Sequence, residues 1–194
     1  RSSDLPGWSE PEGATIVTAP VHSGTYACRL SGPPGQGARV RQTVSVQPGQ
    51  AYRASVWVHI VRTDIVDWGY ISISVTAGNW TYLDGVELLA STHPTGQWVK
   101  VALRFTALDT LARFEFGKFA NPASNIEFYV DDAVLLLDDG TNLPPQVTAV
   151  VTPGQSTTLP ATVQYALQGD DLDGAIEHIY WDFGDGGHAL DAAG

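Results

Sequence analysis

Residues 52–61 read Tyr-Arg-Ala-Ser-Val-Trp-Val-His-Ile-Val, a stretch in which the apolar side chains fall on every second position. Successive side chains of a strand point to opposite faces, so a period of two belongs to a half-buried strand and not to a helix. Tyr52, Ala54, Val56, Val58 and Ile60 take one side; Arg53, Ser55, Trp57, His59 and Val61 take the other. The same division recurs where Val99, Val101, Leu103 and Phe105 oppose Lys100, Ala102 and Arg104. Strand signals also cover 15–18, 25–30, 39–46, 70–76, 113–116 and 127–137. Turn chemistry separates them: Ser31-Gly32-Pro33-Pro34-Gly35, Gln47-Pro48-Gly49-Gln50, Thr92-His93-Pro94-Thr95-Gly96 and Asn121-Pro122. No segment sustains a 3.6-residue period over the length of a helix. The expected class is all-β, an antiparallel sandwich whose core is built from alternate residues.

Length and charge narrow the organisation. The 194 residues suffice for one good core plus part of another. No apolar run approaches the roughly 18–20 residues of a membrane span, so no membrane partner is expected. All ten Lys and Arg lie at or before Lys118, beside nine acids, whereas residues 119–194 carry twelve acids and no base. That distribution argues against nucleic acid, whose phosphates need clustered cations. Cys28 is the sole cysteine, so there is no internal disulfide, and its place in Tyr26-Ala27-Cys28-Arg29-Leu30 suits a small hydrophobe on the buried side of a strand. The chain begins at Arg1, shows no signal peptide and holds no Met, and it reads as an excised piece of a larger, secreted protein.

After Leu137 the run Asp138-Asp139-Gly140-Thr141-Asn142-Leu143-Pro144-Pro145 has linker composition, and the strand pattern restarts at Gln146. The expected organisation is a sandwich over 1–139, a linker over 140–146 and a second unit over 147–194, too short for a whole sandwich. In that unit Asp171-Leu172-Asp173-Gly174-Ala175-Ile176 precedes Ile179-Tyr180-Trp181-Asp182-Phe183-Gly184-Asp185-Gly186. This pattern resembles the first half of the polycystic-kidney-disease (PKD) type of immunoglobulin-like domain. The resemblance implies a spacer of secreted bacterial enzymes and surface proteins, with no chemistry of its own. Its later strands are missing here, which would leave sheet edges open to added chain or to self-association.

The first unit, over roughly residues 8–138, resembles carbohydrate-binding modules of family 4 and their jelly-roll relatives. Three stretches carry the likeness: 22–30, His-Ser-Gly-Thr-Tyr-Ala-Cys-Arg-Leu; 42–58, from Gln42 to Val58; and Phe116-Gly117-Lys118-Phe119-Ala120-Asn121 running to Tyr129-Val130-Asp131-Asp132-Ala133-Val134-Leu135. The resemblance implies a non-catalytic module of a secreted glycoside hydrolase or polysaccharide lyase, holding a polysaccharide on a concave sheet face. The strands implied to cross that face are 39–46, 52–61 and 113–117, and their outward residues are Arg39, Arg41, Arg53, Trp57, His59, Arg113 and Glu115. Glu115 matches a polar ligand-contact position of the family, whereas the relatives' stacking Trp near Gly35 to Gly37 has no counterpart.

Relatives also hold a structural calcium, which takes six to eight oxygen ligands. On their pattern Asp131, with Asp132 beside it, supplies carboxylate, and the loop from His22 to Thr25, Ser23 included, supplies carbonyls. The family's N-terminal Asn-x-x-Phe-Glu is absent, leaving Asp4 or Glu10 to substitute. The other reading of Asp131 and Asp132 is that they cap a strand end.

If strands 39–46 and 52–61 pair as a hairpin, Arg41 falls opposite Trp57 and Arg39 opposite His59; in a strict jelly roll consecutive strands can instead lie in different sheets. Guanidinium beside aromatic suits a carboxylated or sulfated glycan. The alternative is that the arginines lie over the sheet and neutralise Glu115, Asp64 and Asp67. Trp68, Trp80 and Tyr82, in a strand plus variable loop, offer a second aromatic platform. Trp8 and Trp98 read as core plugs. There is no Gly-x-Ser-x-Gly, His-Glu-x-x-His, phosphate loop or Cys-His metal spacing, and the adjacent acid pairs sit at strand ends and linkers. The competing class is a structural or adhesive repeat of an extracellular surface protein or filament, in which case a neighbouring repeat replaces the parent catalytic domain as partner.

Overall fold

In the computed structural model, ten strands of the first unit divide between two facing sheets. They are β1 (Ser9–Glu12), β2 (Ala14–Val17), β3 (Ala27–Leu30), β4 (Ala38–Ser45), β5 (Ala51–Asp64), β6 (Gly69–Ala77), β7 (Tyr82–Leu88), β8 (Trp98–Thr106), β9 (Leu111–Ala120) and β10 (Asn125–Leu137). One sheet has the order β1-β4-β9-β6-β7 and the other β2-β3-β10-β5-β8, with antiparallel pairing throughout. The structure describes residues 8–89, 91–141, 144–152, 164–171, 176, 178–182 and 187–192, and among these there is no helix. The all-β sandwich expected from the alternation is the architecture found.

The alternation decides the core. From β5, Ala54, Val56, Val58 and Ile60 are buried, and from β8, Val101, Leu103 and Phe105. They face Val40 of β4, Ile71, Ile73 and Val75 of β6, and Phe114 and Phe116 of β9, with Phe128 of β10 fully enclosed. Burying each large apolar side chain is worth about 1.5–3 kcal/mol. Cys28 packs half-buried against the same cluster, and burial pushes its thiol pKa up to about 12. It is a small hydrophobe, as its strand position suggests.

Consecutive strands β4 and β5 do not pair. The link at 47–50 is bonded to the link between β8 and β9. Gly49 N–H donates to Ala107 O at 2.8 Å, Ala107 N–H to Gln50 O at 2.9 Å, and Val46 N–H to Thr110 O at 3.0 Å. Held side by side, the two links carry both chains across the sandwich together. Arg41 is therefore not opposite Trp57, nor Arg39 opposite His59. The neighbours of β4 are β1 and β9, and those of β5 are β10 and β8. The conditional hairpin register is corrected, and the arginine and aromatic residues divide between two outer faces.

The chain divides after Asp139 into two compact units. In the second, β11 (Gln146–Thr152) pairs with β12 (Gln164–Asp170) and β13 (His178–Asp182) with β14 (His188–Ala192), both antiparallel. Of the residues that suggested a PKD-type motif, Trp181 lies half-buried on β13, while residues 172–175 and 183–186 lie outside the described residues.

Candidate functional site

On the β4–β9 sheet, burial of Ala38 and Val40 turns Arg39 and Arg41 outward, and burial of Ala112, Phe114 and Phe116 turns out Arg113 and Glu115. Register sets the outward residues in rows across the strands: Ser9, Arg41, Glu115, Ser74, Gly85; and Glu12, Arg39, Gly117, Ser72, Glu87. Small residues, Ser72, Ser74, Gly85 and Gly117, lie among the charged ones. Arg41 is paired with Glu115, and Arg39 Nε lies 3.8 Å from Glu12 Oε2. Three outward guanidiniums thus share the face with the carboxylates of Glu12, Glu115 and Glu87.

Above one end stands the β6–β7 hairpin. Its tip carries Trp80, 57% exposed, in the left-handed region at φ 70°, where a bulky residue is rare and needs outside support. The support can be followed bond by bond. Trp80 N–H donates to Ala77 O at 2.9 Å and Ala77 N–H to Thr81 O at 2.8 Å. Arg113 Nη1 donates to Ala77 O at 2.9 Å and also to Gly78 O. Asp109 Oδ1 accepts from Leu111 N–H at 2.8 Å and from Gly78 N–H at 3.1 Å. Those amides, Leu111 first, hold the Asp109 carboxyl below the ordinary carboxylate range against partial desolvation, with help from Arg113.

The Trp80 ring lies against two guanidiniums, Arg41 at 4.5 Å and Arg113 at 4.4 Å from its centroid. Such a contact is worth about 0.5–2 kcal/mol, and it explains why Arg41, although outward, is only 7% exposed. Two residues on from Trp80, Tyr82, 62% exposed, donates its hydroxyl to Gly85 O at 3.2 Å. A Cβ at Gly85 would sit 2.9 Å from the Tyr82 oxygen, so glycine lets that ring reach along the sheet. Of the predicted residues, Arg39, Arg41, Trp80, Tyr82, Arg113 and Glu115 are brought to one face. Ser72, Ser74, Gly85, Gly117 and Asp109 were not anticipated. The serines alone left a readable signal, as the outward parity of Ile71-Ser72-Ile73-Ser74-Val75.

Arg53, Trp57 and His59 lie on the outer face of the other sheet, and there they are engaged. The His22 ring stacks on Trp57 with centroids 3.9 Å apart and planes at 15°. His59 meets Trp98 at 5.4 Å and Tyr129 at 5.9 Å, both edge-on. Arg53 Nη2 is 2.7 Å from Asp138 Oδ1, each side chain less than one-fifth exposed. Trp98 is thus no core plug: the inward parity of β8 belongs to Val101, Leu103 and Phe105, which puts Trp98 in this outer cluster. Trp8 does pack on the core, 5.2 Å from Phe116.

The 22–25 loop that covers Trp57 is held by a bulge in β10, where Asp132 takes φ 47°. Asp131 Oδ2 accepts from His22 N–H at 2.9 Å and Ser23 N–H at 3.3 Å, and its Oδ1 accepts from Asp132 N–H at 2.8 Å. Asp132 accepts from His22 Nδ1 at 2.7 Å and from Ser23 Oγ at 2.9 Å. All four carboxylate oxygens meet donors. Calcium needs lone pairs converging on one point, and here the loop turns amides and a ring N–H to the carboxylates while Thr25 is exposed. In this arrangement the two carboxylates cap the loop and the strand end, the alternative reading of Asp131 and Asp132. Among the described residues no group of three or more His, Cys, Asp and Glu is placed to hold a metal ion; Asp4 and the Glu10 side chain lie outside them.

A family model for a Carbohydrate binding domain, CBM_4_9, matches residues 2–125. The chain belongs to this family. It is a non-catalytic carbohydrate-binding module, which sets aside the structural-repeat alternative. Among solved structures the module is similar to a Family 16 carbohydrate-binding module at 23% identity and TM-score 0.51, covering 68% of this chain and 92% of that one. It is similar to TmCBM61 in complex with beta-1,4-galactotriose at 17% and 0.51, covering 71% and 92%. The C-terminal family 22 module of Clostridium thermocellum Xyn10B aligns at 12% and 0.50, covering 72% and 90%. These likenesses are of fold. No curated protein matches the chain.

Proposed function

We propose that the module holds a neutral polysaccharide on the outer face of the β4–β9 sheet. Trp80 and Tyr82 supply the stacking surfaces, and the Arg41–Glu115 pair, Arg39, Ser72 and Ser74 supply planar and hydroxyl groups for sugar hydroxyls. The observation that carries this is the Trp80 ring, backed by two guanidiniums and still more than half exposed. Sugar sites combine an aromatic surface with a few fixed polar groups in this way. The acidic-polysaccharide reading is the less favoured of the two, because the guanidiniums of this face already lie beside acceptors of the protein itself. Here Arg41 faces Glu115, Arg39 faces Glu12, and Arg113 is bonded to two carbonyls.

In this reading the module is part of a secreted hydrolase or lyase and keeps it on its substrate, raising local substrate concentration rather than gripping tightly at one point. The PKD-type second unit serves as the spacer. The test is affinity electrophoresis and calorimetry on soluble β-glucan, xylan and galactan against alginate and pectin, for the wild type and Trp80→Ala. Binding to a neutral polymer, weakened at least about tenfold (~1.4 kcal/mol) by the substitution at unchanged melting temperature, is expected. Binding confined to the anionic polymers, or indifferent to Trp80→Ala, overturns the reading.

A further inference from the structure

At the far end of β6 from Trp80 lies a second exposed indole whose backbone is fixed with unusual thoroughness. Trp68, in the link between β5 and β6, is 49% exposed, and Val66 beside it 52%. Indoles at loop positions gain from folding back onto apolar surface; this one is kept out. The anchor is Ser124, fully buried, whose hydroxyl oxygen accepts from Val66 N–H at 2.8 Å. The same hydroxyl lies within donating distance of Val66 O at 3.0 Å and Trp68 O at 3.2 Å. Trp68 N–H donates to Val66 O at 2.9 Å, and Asn121 N–H donates to Trp68 O at 3.0 Å. Both backbone groups of Trp68 are therefore used, and the turn at Asp67 is set at φ 71°.

Two planar polar groups lie next to residue 68, one along the chain and one across the link. Asn121 Nδ2 is 3.4 Å from Asp67 Oδ2, so an amide and a carboxylate sit together where the backbone of residue 121 meets Trp68. Aromatic surface beside planar hydrogen-bonding groups is glycan-binding chemistry. Because the link is already ordered, contact with a ligand forfeits little backbone freedom. The strand leading from here to the Trp80 hairpin runs from Gly69 to Ala77, about 25 Å at strand rise. Its outward serines, Ser72 and Ser74, register with Gly117 and Glu115 of β9.

We propose that Trp68, with Asp67 and Asn121, is a second glycan contact, engaged by a neutral polysaccharide long enough to reach beyond the Trp80 end of the face. The proposal rests on the module's carbohydrate-binding class and on the ligand lying on the β4–β9 face. The experiment compares wild type, Trp68→Ala, Trp68→Tyr and Trp80→Ala in the full chain, by calorimetry on the neutral polysaccharide and on its disaccharide and trisaccharide. Trp68→Ala is expected to weaken polysaccharide binding about fivefold while leaving the short oligosaccharides within about twofold, the avidity pattern of an added contact. Trp68→Tyr is expected to restore most of the loss, which a purely structural role of the indole would not. Unchanged polysaccharide affinity in Trp68→Ala, or an equal loss on all ligand lengths, overturns the proposal. If Trp68→Ala weakens binding and Trp80→Ala does not, the Trp68 contact stands and the platform reading of Trp80 falls.

Discussion

The two outer faces of this sandwich begin from the same ingredients and end differently. On one side β4 and β9 turn arginines outward, on the other β5 does, and each face also holds large aromatic rings. On the β5–β10 face those groups satisfy one another: His22 lies on Trp57, His59 meets Trp98 and Tyr129, and Arg53 meets Asp138. On the β4–β9 face the arginines lie against a tryptophan that remains more than half exposed. The difference comes from the loops. Asp131 and Asp132 tether residues 22 and 23 so that a loop comes over Trp57, whereas Asp109 and Arg113 tether a hairpin so that its ring is held out. Outward parity takes a side chain off the core; whether it then meets solvent depends on which loop is fastened above it.

The comparison breaks most visibly through stability. If the β5–β10 face is a second, small core, Trp57→Ala should cost about 3 kcal/mol in denaturant unfolding, the usual scale for removing a packed Trp, with glycan affinity unchanged. Glu127, at one end of the same face, is 7% exposed and accepts from Arg29 Nε at 2.7 Å and Arg62 Nη2 at 2.8 Å. Burial alone would raise its pKa, but the two guanidiniums outweigh that and bring it below the ordinary value. A depressed carboxyl stabilises above the unfolded-state pKa and loses that contribution as pH falls through the folded value. Glu127→Ala should therefore cost about 1–2 kcal/mol near neutrality, since the two half-exposed arginines it leaves are re-solvated, and flatten the acid limb of the stability profile. A loss of binding in Trp57→Ala without loss of stability would reverse the roles of the two faces.

Much of this was legible in the alternation. Of the residues expected inward on β5 and β8 all but the half-buried Tyr52 and Val99 are buried, and Cys28 packs as its neighbours imply. Parity does not say which sheet a strand joins, however. Four residues at 47–50 can close a hairpin or cross the sandwich, and the bonds that decide come from Ala107 and Thr110, some sixty residues away. That is why Arg41 and Trp57 read as neighbours. Strands β1 and β7 escaped notice for a local reason, since Ser-Glu-Pro-Glu and the Asp84-Gly85 pair are poor strand formers that register with β4 and β6 nonetheless holds in place. The site was half legible: Trp80 and Tyr82 stood out as loop aromatics, but the fact that arginines back Trp80 depends on cross-strand register.

A smaller effect sharpens the open face. Asp109 touches no ligand in the proposed pose; it is a positioning residue for the Trp80 hairpin. Asp109→Ala should weaken glycan binding about threefold to fivefold, less than Trp80→Ala, because Arg113 still holds the Ala77 and Gly78 carbonyls. Asp109→Asn, which keeps one acceptor, should recover part of it. Since the Asp109 carboxyl titrates below the ordinary range, the amide clamp is intact above that range and is lost only as pH falls through the lowered value. Affinity should then stay level from neutral pH through the usual carboxylate range and drop only beneath it. A decline centred on the usual range would place the sensitive group elsewhere.

No effect at all is expected of a chelator on what fastens the covered face. A calcium bridge and a hydrogen-bonded latch predict opposite responses to a chelator. With both Asp131 and Asp132 accepting from the 22–23 amides, the His22 ring and Ser23, the latch needs no cation, and the melting temperature should be the same in chelator as in added calcium. Asp132→Ala should lower stability by about 1–2 kcal/mol, through loss of the bonds to His22 and Ser23, and by the same amount in either condition. A chelator-induced drop in the wild type that Asp132→Ala or Asp131→Ala abolishes would mean that the loop turns its carbonyls inward around a metal, and the latch would have to be redrawn as a coordination shell.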